Sequence, residues 1–242
     1  MKNTLTVIGF WAFLPISALQ GRWLRRTATR LPEATGDRIG ISGEGERLHL
    51  LAMGDSIIAG VGTGTMKHSL PVQFASAMAK ARSCEVKWRV EGKNGADISQ
   101  LRHDVSQIER DQKADVILIS IGVNDVTGLS STRHWSSQLQ GLLLELRNKW
   151  PQACVVAMGL PPMSKFPLPP QPLRFTLGQR ATTLDAIAAK LLADQANMLH
   201  VPTEMDPVHH DFCEDGFHPS AKACGFWAEE LAQKLKSDTL TI

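Results

Sequence analysis

Val116-Ile117-Leu118-Ile119, preceded by Asp115 and followed by Ser120-Ile121, is β-branched and apolar without a break. An uninterrupted run of this length belongs to a strand covered on both faces, as in a parallel sheet held between helices. Four further short apolar runs match it, at 48–53, 86–90, 154–160 and 198–201. Helical spacings fill the intervals. Phe74, Ala75, Ala77 and Met78 follow Pro71, and Ile98, Leu101, Val105 and Ile108 recur every three or four residues. Trp135, Leu139, Leu142, Leu143 and Leu146 stop before Trp150-Pro151, and Phe226, Trp227, Leu231 and Leu235 close the chain. This alternation predicts an α/β fold with a five-stranded parallel sheet and helices on both faces. In such sheets ligands bind beyond the carboxyl ends of the strands.

The residues at those ends carry the chemistry. After the first strand comes Gly54-Asp55-Ser56-Ile57, then glycines 60, 62 and 64. A serine just past a buried strand projects its hydroxyl into the crevice, although capping a helix explains Ser56 equally well. Gly60-x-Gly62-x-Gly64 does not fit the G-x-G-x-x-G dinucleotide fingerprint, so no cofactor is read from it. After the second strand comes Gly92-Lys93-Asn94-Gly95-Ala96-Asp97, in which Gly95 lets a backbone N–H approach a ligand and Asp97 suits a helix cap. After the third comes Gly122-Val123-Asn124-Asp125. An Asn there is either an oxyanion donor or a turn residue.

Asp215-Gly216-Phe217-His218-Pro219-Ser220 precedes the last helical pattern. Asp and His three apart can hydrogen-bond, the carboxylate orienting the imidazole. Asp206-x-x-His209 is a second such pair; Pro219 favours the first, because proline suits an opening helical turn. His209, His210 and Cys213 match no structural zinc spacing, and the four cysteines contain no C-x-x-C pair, so no metal site is read.

The order of these blocks is more telling than any one of them. Gly-Asp-Ser, then Gly, then Gly-x-Asn-Asp, then Asp-x-x-His-Pro closely resembles the SGNH (GDSL) hydrolase family across about residues 48–235. The resemblance implies a flavodoxin-like three-layer α/β/α sandwich and serine esterase activity. It implies Ser56 as nucleophile, His218 as base and Asp215 as its orienter. It also implies an oxyanion hole from the N–H groups of Ser56 and Gly95 and the Asn124 side chain. Ile57 stands where the family name has Leu, a change from one apolar residue to another. Asp55 and Asp125 are expected to hold turns rather than to react.

The substrate expected is a small ester, simple aliphatic or lipid-like, with a carbohydrate O-acetylester or a silent binding module as the alternatives. The proline-rich stretch at 161–175 leaves the carboxyl edge of the sheet, and Met163, Phe166, Leu168 and Phe175 are expected to wall an acyl pocket there.

Composition excludes other classes. The chain of 242 residues has 26 Lys plus Arg against 24 Asp plus Glu, too near balance for a nucleic-acid binder. It contains no tyrosine, which removes any mechanism needing a phenol. The charge is unevenly placed: Lys2, Arg22, Arg25, Arg26 and Arg30 give residues 1–30 a charge of +5 with no acid, leaving −3 for the rest. Residues 3–21 are uncharged. Residues 1–32 are therefore expected to be a leader or anchor helix, membrane-associated through 4–30, with the catalytic domain cytoplasmic. A helix packed on the domain and a secretory signal are the competing readings. Residues 33–47 are expected as a polar linker to a catalytic domain at 48–242.

Overall fold

The computed structural model describes residues 2–109, 112–205 and 211–237, with side chains between residues 13 and 236 of these. All five apolar runs are strands: β2 (Arg47–Gly54), β3 (Glu85–Gly92), β4 (Val116–Ser120), β5 (Cys154–Met158) and β6 (Met198–Val201). A sixth, β1 (Ile39–Ser42), was not expected. The sheet order is β1-β3-β2-β4-β5-β6, with β1 antiparallel to β3 and every other pair parallel. The five-stranded parallel sheet is thus present, with an antiparallel strand added at one edge. Every residue of β4 and of β5 is buried, as their unbroken apolar runs require.

β1 lies inside the stretch expected as a linker. Its Gly40 pairs with Trp88, and a β-carbon on Gly40 would strike the Trp88 indole. Gly40 thus makes room for a ring. The rest of 33–47 is also tied down: Glu33 bonds Arg38 at 2.6 Å and the Asn94 N–H at 2.8 Å, and Arg38 donates to the Gly92 carbonyl at 2.6 Å.

From β2 the chain steps outward to β3 through α2 (Leu70–Arg82), then returns past β2 to β4 through α3 (Ile98–Gln107). The short α4 (Val123–Gly128) and the longer α5 (Thr132–Lys149) lead to β5, α6 (Leu173–Ala193) leads to β6, and α7 (Ala221–Ser237) follows. Right-handed crossovers in opposite directions place α2 on one face and α3, α5 and α6 on the other. Accordingly α2 packs on α7, α3 on α5, and α5 on α6. The strand order reverses at β2, which makes its carboxyl end the expected ligand crevice.

Register brings the sequence blocks together there. Gly54 pairs with Gly92 on one side and Ser120 on the other, so three blocks leave the sheet in one row. Gly54 sits at φ +150°, and a β-carbon on it would overlap the Ser120 carbonyl oxygen. Only glycine fits.

The N-terminal helix α1 (Lys2–Thr27) packs on α6. Ser17, Gln20, Gly21, Leu24 and Ala28 are at least partly buried, whereas Ile16, Leu19 and Trp23 on the opposite side are exposed. Among the described residues, no helix is long and apolar enough to cross a membrane.

Candidate active site

Ser56 lies two residues beyond β2 in a turn anchored from beneath. The Asp55 N–H donates to the Ser120 carbonyl at 3.0 Å, and the Asp55 Oδ1 accepts the Ile57 N–H at 3.0 Å. Asp55 is fully buried, and burial pushes its carboxyl up to about 7. Its Oδ2 has no hydrogen-bond partner.

Gly95 sits at φ +83°, a conformation that favours glycine, and a β-carbon there would meet nothing within 4 Å. Its face is open to an approaching group. Asn124, in the first turn of α4, donates from Nδ2 to the Ala96 carbonyl at 2.8 Å. A primary amide has two N–H donors, so one anchors the side chain and the other is available to a ligand. Asp125 is fully buried; its Oδ2 accepts the Ile98 N–H at 3.0 Å and its Oδ1 the Ser130 hydroxyl at 2.9 Å. Burial raises the pKa of this carboxyl despite those bonds. Asp97 caps α3 by accepting the Gln100 N–H at 2.9 Å.

His218 and Asp215 meet directly, with the ring Nδ1 2.6 Å from Asp215 Oδ2. Asp215 Oδ1 also accepts the Phe217 and His218 N–H groups, at 2.9 and 3.0 Å. Burial pushes the Asp215 carboxyl up, but these three bonds prevail and hold it below the ordinary carboxylate value. The Asp215 side chain is 3% exposed and the His218 ring 17%. A shielded carboxylate thus fixes the ring, and Phe217 stands edge-on to it at 5.4 Å. The pair does not lie in the opening turn of the last helix, as Pro219 had suggested. It occupies a tight loop before α7, closed by the Cys213 N–H on the His218 carbonyl at 2.8 Å. Ser220 caps the helix instead, its hydroxyl accepting the Ala223 N–H at 3.1 Å.

Ser56 and His218 line one slot, together with Val123 and Phe166. At about 10 Å³ it holds no more than roughly one water. On another side of His218 a cavity of about 220 Å³ opens between α1 and α6, lined by Gly21, Leu24, Leu168, Leu173, Leu177 and Phe217 among others.

Only part of the expected pocket wall lies there. Leu168 lines the cavity, but Met163 is fully buried and Phe166 packs edge-on to Phe212 and Phe217 at 5.1 and 5.3 Å. Phe175 turns to Phe13 of α1, at 6.3 Å. The contribution of α1 was missed because the segment is apolar on its outer side too. Its signal was the helical spacing of Ser17, Gly21, Leu24 and Ala28.

Arg180 was also overlooked. It donates to the carbonyls of Val126 and Ser130 at 3.3 and 2.7 Å, bracing the far end of α4. The Cys213 thiol donates to the Pro219 carbonyl at 3.1 Å, and burial, then Asp215 and Glu214, push its pKa up to about 11. Asp206, His209 and His210 lie outside the described residues.

A serine turn, the Gly95 loop, the Asn124 amide and an Asp–His pair thus lie beyond the carboxyl ends of the strands of this α/β/α fold, a set of groups compatible with a hydrolase site. The chain belongs to the GDSL-like lipase/acylhydrolase family, whose model matches residues 52–224. No curated protein matches it in sequence. Among solved structures it resembles a lipase from a goat rumen metagenome, at 20% identity and a TM-score of 0.65, covering 80% of this chain and 98% of that one. It also resembles an acetylxylan esterase from Geobacillus stearothermophilus, at 19% identity and a TM-score of 0.58, covering 82% and 98%. A third is a Corynascus thermopiles carbohydrate esterase family 2 enzyme with a carbohydrate-binding domain, at 15% identity and a TM-score of 0.63, covering 86% and 68%.

Proposed function

We propose that the protein is a serine esterase that hydrolyses carboxylic esters of simple aliphatic or lipid-like character in two acyl-transfer steps. Ser56 Oγ attacks the ester carbonyl while His218 takes its proton, and the same imidazole returns that proton to the departing alcohol. Asp215 holds the ring and stabilises its protonated form. The N–H groups of Ser56 and Gly95 and the free amide N–H of Asn124 receive the oxyanion. Water then cleaves the acyl-enzyme by the same route. The observation that carries this reading is the bond from the buried Asp215 to His218, on a ring that shares its slot with Ser56.

A fluorophosphonate probe tests it. Covalent labelling mapped to Ser56, lost together with p-nitrophenyl acetate hydrolysis in Ser56→Ala, is the expected result. Labelling elsewhere, or undiminished hydrolysis by Ser56→Ala, overturns it. No labelling and no hydrolysis would mark a silent binding module.

A polar hollow of about 440 Å³ beside Gly95, lined by Lys93, Asn94, Ser99, Gln100 and His103, favours a second reading as a carbohydrate O-acetylesterase. Acetate release from acetylated xylo-oligosaccharides, exceeding that from alkyl esters, distinguishes the two.

We also propose that α1 lies on an anionic lipid surface such as a cytoplasmic leaflet. Ile16, Leu19 and Trp23 are 51%, 71% and 59% exposed on one side of the helix, with Arg22 and Arg26 beside them. Co-sedimentation with phosphatidylserine vesicles, weakened by salt and by Trp23→Ser, is the expected behaviour.

A further inference from the structure

We propose that the aliphatic chain of the ester lies in the cavity between α1 and α6, and that Gly21 sets how much chain the enzyme accepts. The proposal rests on the esterase reading and deepens it.

Three observations carry it. The cavity shares His218, Asp215 and Phe217 with the reacting site, so a chain lying in it ends beside the imidazole. The slot on the Ser56 side has no room for more than about one water, so it cannot take an alkyl chain. The cavity itself, at about 220 Å³, falls below the roughly 300 Å³ where drug-sized sites begin. Its size and its leucines suit one flexible chain rather than a ring system.

The α1 wall is built in. Ser17 and Thr176 hydroxyls meet at 2.9 Å where both are buried. Gln20 is bonded twice, donating to the Gln171 carbonyl at 2.8 Å and accepting the Leu173 N–H at 3.0 Å. Arg25 donates to the Thr127 carbonyl at 2.6 Å, joining the wall to the helix that carries Asn124. Gly21 stands between these anchors. A β-carbon there would meet only Leu173 Cδ1, at 4.0 Å, so a side chain can begin here against the cavity's own lining.

Either half of an ester can supply the chain, so two series are measured on the full-length protein. One is p-nitrophenyl esters from acetyl to dodecanoyl; the other is acetates of alcohols from ethyl to decyl. In the series whose chain occupies the cavity, kcat/KM rises about fourfold per methylene until the cavity is full. Gly21→Leu should move that plateau to shorter chains and lower the octyl-to-ethyl or octanoyl-to-acetyl ratio on the order of tenfold or more. Leu24→Ala should move it the other way. These ratios do not depend on the fraction of folded enzyme, so a folding defect does not mimic the result. Unchanged profiles in both series for both variants overturn the proposal.

Failure of the underlying reading shows itself differently. If the wild type hydrolyses no ester, calorimetry with decanoate judges the cavity alone. Binding that weakens about tenfold in Gly21→Leu upholds it, and no binding overturns it.

Discussion

Asn124 directs one amide N–H to the Ala96 carbonyl, 2.8 Å away, and so ties the start of α4 to the loop carrying Gly95. Two of the three proposed oxyanion donors, Gly95 and Asn124, therefore belong to one hydrogen-bonded unit. Preorganisation of this kind is what makes such donors effective, because no dipole has to reorient as charge develops. Asn124→Ala should lower kcat by about 10²–10³ with little change in KM. Asn124→Asp should do no better, since a carboxylate cannot donate and would face the Ala96 carbonyl oxygen. Steady-state kinetics on p-nitrophenyl acetate checks both, and a loss confined to KM would remove Asn124 from the oxyanion role.

Asp125 supports the same unit from below. It is fully buried and receives the first N–H of α3 as well as the Ser130 hydroxyl. Truncating it strands the Ile98 N–H in the interior, so Asp125→Ala should cost about 3 kcal/mol in urea-induced unfolding. Ser130→Ala removes one bond from a carboxyl that keeps another, and should cost about 1 kcal/mol. Equal effects from the two would show that the Ile98 bond contributes nothing.

Asp215 offers a sharper separation of geometry from charge. Asparagine in its place keeps an oxygen for the Phe217 and His218 N–H groups but can turn N–H donors toward the ring. The imidazole then loses the acceptor that selects its tautomer. Asp215→Asn should lower kcat about 10⁴-fold while the melting temperature changes little. Full activity in this variant would make the Asp215 contact a loop-closing bond only.

The elements legible in the sequence are those whose signal is local. The run Val116–Ile119 is a strand because every residue in it is apolar, and both its faces are covered. The block order places Ser56, Gly95 and Asn124 just past three strands, and the pairing of Gly54 with Gly92 and Ser120 sets those strand ends side by side. What escaped depends on distant partners. β1 is four residues long between glycines, and Gly40 acquires meaning only when Trp88 lies across it. α1 read as an anchor because its apolar residues sum along the chain; the inner face, closing a cavity beside His218, emerges only once α6 is in place. Pro219 suits an opening helical turn, but α7 begins only at Ala221, after Ser220 has supplied the cap.

Asp55 sets the final prediction. Its carboxyl is raised from an ordinary 3.8 to about 7 by burial, with Oδ2 unpartnered. Between those values the folded chain keeps a proton that the unfolded chain has released. Stability therefore falls as pH rises through this window and levels off above about 7. Three units of displacement correspond to on the order of 4 kcal/mol lost by pH 8, an upper bound on what a neutral side chain recovers. Asp55→Asn keeps an oxygen for the Ile57 N–H and cannot ionise. Relative to wild type it should therefore be nearly unchanged at pH 4.5 and more stable at pH 8. Urea denaturation across pH 4.5–8 checks this, and parallel curves for the two proteins would show that Asp55 is already ionised at the acid end.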